Sequence, residues 1–524
     1  MFRRAIVALP GLLVTALLAA IPAVAQPSCE SLTRLTLPGI AIKSAANIPA
    51  GSFMLPNAAP GAPARNVPAF CRMVGVVLPE ANFELWLPAQ WNRKYEAVGN
   101  GGMAGVISYA AMVDPLNRGY ATGSTDTGHL ANGEDGAWAL GHMQRVINYG
   151  QRAIHEMAQA DKAIIRAYYG AAPGHSYFNG CSYGGKQALT EVQRYPGDFD
   201  GVIAGDPANN FTHHYIGGHL WAALAMDGDG YIPASKVPVI ADAVNKACDA
   251  LDGIQDGVLN DPRRCHFDPG TLLCKGSDMT HCLTAAQVDA VRKLWSGLRD
   301  ADGQQLYPGL MPGGEAGPGG WAQWITGNAP GKGGHSGLGI PVFKYMIFEN
   351  PDWDFHTFRF TSAGDFESDV EFTDDKVGGI FNAVDPDLRA FKANGGKLIQ
   401  YHGWSDPDIT PLNSINYYES VVRFNGRGNP HGLRETKEFY RLFMVPGMQH
   451  CTNGPGPSRF DALGALEQWV EQNKPPEEIV AAHVTNGAVD RTRPLCAYPQ
   501  EAHYKGTGST DEAANFVCGL PATP

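Results

Sequence analysis

The stretch Ser176-Tyr177-Phe178-Asn179-Gly180-Cys181-Ser182-Tyr183-Gly184 decides how this chain is read. A short apolar run leads into the pattern Gly-x-Ser-x-Gly, after which Lys186 to Tyr195 reads as a helix. Gly201-Val202-Ile203-Ala204 follows as a short apolar strand. In a chain with 63 glycines the five-residue pattern alone says little. Between a strand and a helix it describes a sharp turn that lifts a serine hydroxyl clear of the edge of a sheet.

Upstream of that turn, residues 66–100 are rich in β patterns. Val74 to Leu78 is an apolar run, Phe83-Glu84-Leu85-Trp86-Leu87 alternates, and Tyr95-Glu96-Ala97-Val98 ends in Gly99-Asn100-Gly101-Gly102. Met143 to Tyr169 contains no proline and repeats apolar residues at helical spacing (Val146, Tyr149, Ala153, Met157, Ala160). Downstream, the rhythm dissolves into glycine, proline and aromatics from about Asn210 to Val384, then resumes at Lys397–Tyr401 and Tyr440–Val445. Alternating strands and helices predict an α/β fold. The strand–turn–helix context narrows it to an α/β-hydrolase core over residues 26–209 and 385–524, with a large inserted lid domain over 210–384.

A serine hydroxyl is a poor nucleophile until a base takes its proton, and the base needs a group that orients it. The chain order serine, aspartate, histidine of this fold class selects Ser182 as nucleophile, Asp406 as the orienting acid and His450 as the base. Asp406 and His450 each follow a strand, at the carboxyl ends where such sheets carry their active sites. His402-Gly403-Trp404-Ser405-Asp406-Pro407-Asp408 offers Asp408 as a second carboxylate. Donors for a developing oxyanion are expected from the backbone N–H of Tyr183 and from Gly101 or Gly102. His129 precedes the serine and reads as structural. If Ser182 and His450 meet, their neighbours Cys181 and Cys451 come close enough to bridge, since a disulfide spans Cα atoms about 4.4–6.8 Å apart.

Residues 1–25 read as a secretory signal peptide: Arg3 and Arg4, an apolar run from Ala5 to Ile21, then Ala23-Val24-Ala25 as cleavage site. The protein is therefore expected to be secreted or periplasmic, with its mature chain starting at Gln26. In an oxidising compartment the 10 cysteines suggest disulfides rather than metal or redox chemistry. No Cys-x-x-Cys pair occurs. Beyond Cys181 and Cys451, the cysteines fall in sequence-local pairs: Cys29 and Cys71, Cys248 and Cys265, Cys274 and Cys282, Cys496 and Cys518. Proximity along the chain does not fix connectivity, and five bridges is the simplest account. The net charge is −12, and loss of Arg3 and Arg4 with the leader takes it to −14, which argues against nucleic acid and anionic membrane as partners. No feature selects an oligomeric state.

Together these residues resemble the tannase and feruloyl esterase family. The likeness runs through Gly180-Cys181-Ser182-Tyr183-Gly184-Gly185, Gly205-Asp206-Pro207-Ala208-Asn209, His402-Gly403-Trp404-Ser405-Asp406 and Gly447-Met448-Gln449-His450-Cys451. It implies an α/β-hydrolase with a large lid, in which a disulfide joins the neighbours of the catalytic serine and histidine. It also implies a serine carboxylester hydrolase that forms an acyl-enzyme on esters of small aromatic acids, feruloyl or galloyl. The family includes an esterase of the terephthalate–ethylene glycol monoester, so that substrate stays open. A bound terephthalate carboxylate wants a positioned cation, for which Lys332 and Lys344 are weak candidates. Of the aromatics that crowd Trp321 to Phe360, most are expected to be lid core and a few to line an acyl slot.

Asp249, Asp252 and Asp256 cluster in a glycine-containing loop after Cys248. Such carboxylates suit a hard cation, but the spacing is not that of an EF-hand, and a solvated acidic turn fits the residues as well. The family resemblance implies a structural Ca2+ held by these three carboxylates and by the backbone carbonyls of Ile254 and Val258. Two other readings stand beside the esterase: a catalytically inactive, calcium-stabilised binding protein, and a peptidase or amidase.

Overall fold

Nine strands frame the protein. The computed structural model describes residues 27–521 except 278, 301–302, 362–367 and 428–429; the expected signal peptide lies outside the described residues. In chain order the strands are β1 (Ile40–Ile48), β2 (Phe70–Val77), β3 (Ala81–Pro88), β4 (Lys94–Val98), β5 (Ala121–Thr125), β6 (His175–Cys181), β7 (Gly201–Gly205), β8 (Lys397–Gly403) and β9 (Tyr440–Val445). They form one sheet in the order β1-β2-β3-β5-β4-β6-β7-β8-β9. Pairing is antiparallel from β1 to β5 and parallel from β5 through β9.

Strands β6 to β9 bury apolar residues on both faces, as befits strands covered on both sides. Phe178, Val202, Leu398 and Leu442 point into one core, shared with helices α1 (Ala153–Tyr169), α2 (Tyr183–Arg194) and α3 (Pro411–Gly426). Their strand neighbours Tyr177, Ile203, Ile399 and Phe443 point the other way and pack on α4 (Ala462–Gln472). This is the period-two alternation of a pleated strand, and the architecture is that of an α/β-hydrolase core.

Register aligns the strand ends that carry function. Cys181 pairs with Gly205, Gly205 with Tyr401, and Gly403 with Val445. Ser182, Asp206, Asp406 and His450 follow these ends in the chain, so four candidate side chains emerge along one edge of the sheet.

Among the described residues, the chain between β7 and β8 adds no strand to this sheet. It packs on itself in two apolar clusters. One gathers Ile240, Val244, Val291, Leu294 and Trp321. The other gathers Phe211, Leu220, Phe343 and Phe381 and reaches Tyr149 and Tyr183 of the core. The segment from Met143 to Tyr169 is helical, with a π turn at Asn148–Arg152 between two α segments. Helix α2 begins at Tyr183, directly after the serine and a turn earlier than its composition suggests. The chain ends in two small hairpins, Glu478–Thr485 with Ala488–Cys496 and Glu501–Tyr504 with Phe516–Gly519. No helix among the described residues is long and apolar enough to cross a membrane.

All ten cysteines pair: Cys29–Cys71, Cys181–Cys451, Cys248–Cys265, Cys274–Cys282 and Cys496–Cys518. Helix α2 seats so tightly on β7 that a Cβ at Gly185 would lie 2.2 Å from the Gly205 carbonyl oxygen and 2.9 Å from Pro207 Cα. Those are backbone atoms and cannot swing aside. Gly185→Ala is therefore expected to cost about 1–3 kcal/mol of stability, read as a lower urea midpoint. An unchanged midpoint would mean that α2 does not seat on β7 in this way.

Candidate active site

Ser182 sits at the point where β6 turns into α2, with φ 64° and ψ −122°. A serine in the left-handed half of φ space is strained by its own Cβ, and such strain persists only where surroundings fix it. Here its N–H donates to the Gly205 carbonyl at 3.0 Å, and its carbonyl accepts from Lys186 and Ala208 at 3.1 and 3.2 Å. The turn also needs glycine at 180, where a Cβ would lie 2.5 Å from the Gly184 carbonyl oxygen.

His450 Nδ1 lies 2.8 Å from Asp406 Oδ2. Asp406 Oδ1 accepts from the backbone N–H groups of Asp408 and Ile409 at 2.8 and 3.0 Å. His402 Nε2 stands 3.3 Å from Asp406 Oδ2, and its other ring nitrogen bonds the Ser414 hydroxyl at 2.6 Å. Burial works against the Asp406 carboxylate, but the His450 charge and hydrogen bonds from His402 and His450 outweigh it and hold its pKa low. Burial likewise disfavours charge on His450, yet Asp406 and Asp408 outweigh it and raise the imidazole pKa. Trp324 of the inserted segment stands edge-on to His450, ring centroids 4.9 Å apart.

Cys181 and Cys451 are bridged with Cα atoms 5.9 Å apart, across a sequence separation of 270. The bridge ties the residue before Ser182 to the residue after His450. Asp206, quoted in the sequence but given no role there, lies beneath it. Its Oδ1 accepts from Gly403 N–H at 2.8 Å and its Oδ2 from Cys451 N–H at 2.5 Å. One buried carboxylate therefore ties β7, β8 and the His450 loop together. Gln449 is a second unforeseen tie: its amide donates to the carbonyls of Gly314 and Ala316 at 2.7 and 2.8 Å and accepts from Gly319 N–H at 3.1 Å. It anchors the inserted segment to the same loop. The signal for Asp206 was its position directly after a strand in register with Cys181; Gln449 had none beyond adjacency to His450.

The expected oxyanion donors share a bracket. Tyr149, in the π turn, donates its hydroxyl to the Gly102 carbonyl at 2.9 Å, while its own carbonyl accepts the Tyr183 hydroxyl at 2.7 Å. The two rings stack with centroids 4.1 Å apart. Asn100 is held against α2 by a bond from its N–H to Gln187 Oε1 at 3.0 Å, so the Gly99–Gly102 loop lies beside the start of α2. There the first helical N–H groups have no intrahelical acceptor. His129 bonds the Met103 carbonyl at 2.8 Å and stacks on Trp138 at 3.6 Å; burial pushes its pKa down to about 4. It braces the glycine loop.

The acidic loop is internally bonded. Asp249 Oδ1 accepts from the N–H of Gly257 at 3.0 Å, Asp252 Oδ1 from Ile254 at 3.0 Å, and Asp256 Oδ1 from Val258 at 3.1 Å. Asp256 Oδ2 meets Arg493 at 2.7 Å. Burial, with the charge of Asp256 added, pushes Asp252 up to about 6. Clustered carboxylates in a half-buried loop are oxygen donors of the class a hard dication takes, but each already accepts a backbone N–H here and Asp256 is paired with Arg493. Lys332 lies in an exposed turn and Lys344 is half-buried.

A family model described as tannase and feruloyl esterase matches residues 65–519. An uncharacterised esterase of Xanthomonas campestris is 42% identical, over 94% of this chain and 91% of that protein. The mono(2-hydroxyethyl) terephthalate hydrolase of Piscinibacter sakaiensis is 32% identical, over 89% of this chain and 87% of its own. Among solved structures, feruloyl esterase B of Aspergillus oryzae superposes with a TM-score of 0.82 at 27% identity, covering 94% of this chain and all of its own.

Asp206→Ala is expected to strand the buried Gly403 N–H and the half-buried Cys451 N–H and to lower stability by about 2 kcal/mol, measured by urea unfolding. A midpoint equal to that of the parent protein would remove Asp206 as the tie.

Proposed function

The chain belongs to the tannase and feruloyl esterase family, a family of carboxylic ester hydrolases, and from that premise we propose that it cleaves esters of small aromatic acids through an acyl-enzyme on Ser182. The observation that carries the reading is the bridge of Cys181 to Cys451, which flank a serine on a strained turn and a histidine bonded to a buried aspartate.

In this mechanism Ser182 Oγ attacks the ester carbonyl while His450 Nε2 takes its proton. Asp406 accepts from Nδ1–H, fixes the tautomer and stabilises the imidazolium. The oxyanion is met by the N–H of Tyr183 and by that of Gly101 or Gly102, whose positions Tyr149 co-ordinates from between them. His450 then returns the proton to the departing alcohol, leaving the acid esterified on Ser182. Water enters, gives its proton to His450, and releases the free acid. Trp324, edge-on to His450, is a wall suited to a planar acyl group. Feruloyl and galloyl esters are the favoured substrates, and the terephthalate monoester is the second reading, supported by the relative from Piscinibacter sakaiensis.

Two further parts belong to the same proposal. The enzyme is exported, for which the five disulfides speak. A structural Ca2+ is held by the carboxylates of Asp249, Asp252 and Asp256 with the carbonyls of Ile254 and Val258. It would relieve their repulsion, share Asp256 with Arg493 and take no part in ester cleavage.

A hydrolysis panel of methyl ferulate, methyl gallate, the terephthalate monoester and a short p-nitrophenyl ester tests the substrate class. Strong preference for one aromatic acid, lost in Ser182→Ala, is expected. Activity on the aliphatic ester alone would contradict the aromatic reading, and turnover surviving in Ser182→Ala would remove the nucleophile. Chelation is expected to lower the melting temperature; an unchanged melt after proven metal removal would defeat the Ca2+ assignment.

A further inference from the structure

Asp408 stands two residues beyond the triad acid, and the acyl-transfer cycle gives it no task. It is buried at 3% exposure, and its Oδ2 lies 3.4 Å from His450 Nε2. That is the nitrogen that must exchange a proton with Ser182, whereas Asp406 holds the opposite one. Three buried imidazoles gather behind Asp408. His219 Nε2 meets its Oδ1 at 2.8 Å, and His335 Nε2 approaches the same oxygen at 3.5 Å. His219 stacks on His335 with centroids 4.7 Å apart, and His214 stands across it at 4.4 Å.

The inserted segment builds this backing. His214 and His219 lie on a π-helical stretch, His214–Leu220, whose i→i+5 repeat brings both rings to one side. His335 comes from the helix Gly334–Pro341, which packs so closely that a Cβ at Gly339 would lie 2.8 Å from His219 Cβ. His214, His219 and Asp408 bring possible ligand atoms within 4.8 Å of one another. Ligating imidazoles normally pass their second nitrogen to an acceptor, but His219 Nδ1 and both ring nitrogens of His335 have no hydrogen-bond partner among the described residues. Burial lowers the pKa of His219 and of His214, although the Asp408 charge works against it.

We propose that Asp408, braced by His219 with His335 stacked behind that ring, is a positioning residue that holds the Nε2 proton of His450 and thereby sets the pH range in which the base can serve Ser182. The inference rests on the Ser182–His450–Asp406 mechanism above. The groups around His450 are Asp406 and Asp408 from the loop after β8, Asp206 from the loop after β7, and His219 and Trp324 from the inserted segment, with His402 of β8 and His335 of the inserted segment behind those carboxylates. The charged carboxylates among them all favour the imidazolium. A base works only unprotonated, so the rate falls as pH drops through the imidazole pKa. Removing the Asp408 charge lowers that pKa and moves the fall to lower pH.

The test is the pH dependence of the rate at which a fluorophosphonate phosphonylates Ser182, which needs the base but no substrate recognition. In Asp408→Asn the acid limb is expected to move down by about one pH unit or more, and in Asp408→Glu it should stay with the parent. If Asp408→Asn fails to fold, Asp408→Ser, which leaves a hydroxyl for His219, carries the same expectation. Superimposed acid limbs for the parent and the neutral variants would overturn the inference while leaving the esterase mechanism intact. Failure of the parent itself to label at Ser182 would sink the underlying mechanism, and this inference with it.

Discussion

The tie between Cys181 and Cys451, with the Asp206 carboxylate beneath it, is the constraint on which the site depends. Ser182 needs no distant help to reach its place, because the strand, the turn glycines and α2 fix it locally. His450 has no such support: it rides on a loop after the last strand, with left-handed backbone at Cys451 and Asn453. The bridge brings that loop to the serine and Asp206 bonds it to β8, after which Asp406 follows in the chain. By chain entropy, closing so long a loop is worth roughly 5 kcal/mol, a large share of a typical domain's stability. Gln449 extends the arrangement outward, so the inserted segment is fastened to the same loop that carries His450.

That fastening gathers charge. Asp206, Asp406 and Asp408 are all buried within reach of His402, His450 and His219. Buried carboxylates are tolerable only when backbone donors or imidazoles meet them. Asp206 takes two backbone N–H groups, Asp406 takes two more, and Asp408 takes His219 and the edge of His450. The positive φ angles of Ser182, Asp206 and Cys451 belong to the same economy of space. Each is held from elsewhere in the sheet: Ser182 by the Gly205 carbonyl, Asp206 by the Tyr401 carbonyl and Gly403 N–H, and Cys451 by Asp206 and its bridge to Cys181.

Much of this was legible in the sequence because motif and periodicity acted together. The run 176–184 carries its strand, turn and helix in consecutive residues, and β8 and β9 are short apolar runs ending just before Asp406 and His450. The pairing of Cys181 with Cys451 followed from what must lie beside what. Other parts were silent for physical reasons. Strand β5, Ala121-Thr122-Gly123-Ser124-Thr125, has small and polar side chains and is a strand only because β3 and β4 flank it. Tyr149 reads as one apolar helix position, yet a π turn aims its hydroxyl at the Gly102 carbonyl and its carbonyl at the Tyr183 hydroxyl. His219 and His335 lie in the stretch of weakest periodicity and meet Asp408 only through packing of the inserted segment. Cross-chain contacts of that kind leave no local pattern.

The most direct measurement of the central claim is the rate of fluorophosphonate labelling at Ser182 in a Cys181→Ser/Cys451→Ser double variant, with circular dichroism to follow the fold. If the bridge holds nucleophile and base together, labelling should fall by about tenfold or more, a barrier change of about 1.4 kcal/mol, while the sheet persists. Labelling at the parent rate in a folded double variant would contradict the account, because the serine and histidine would then find each other without the tie.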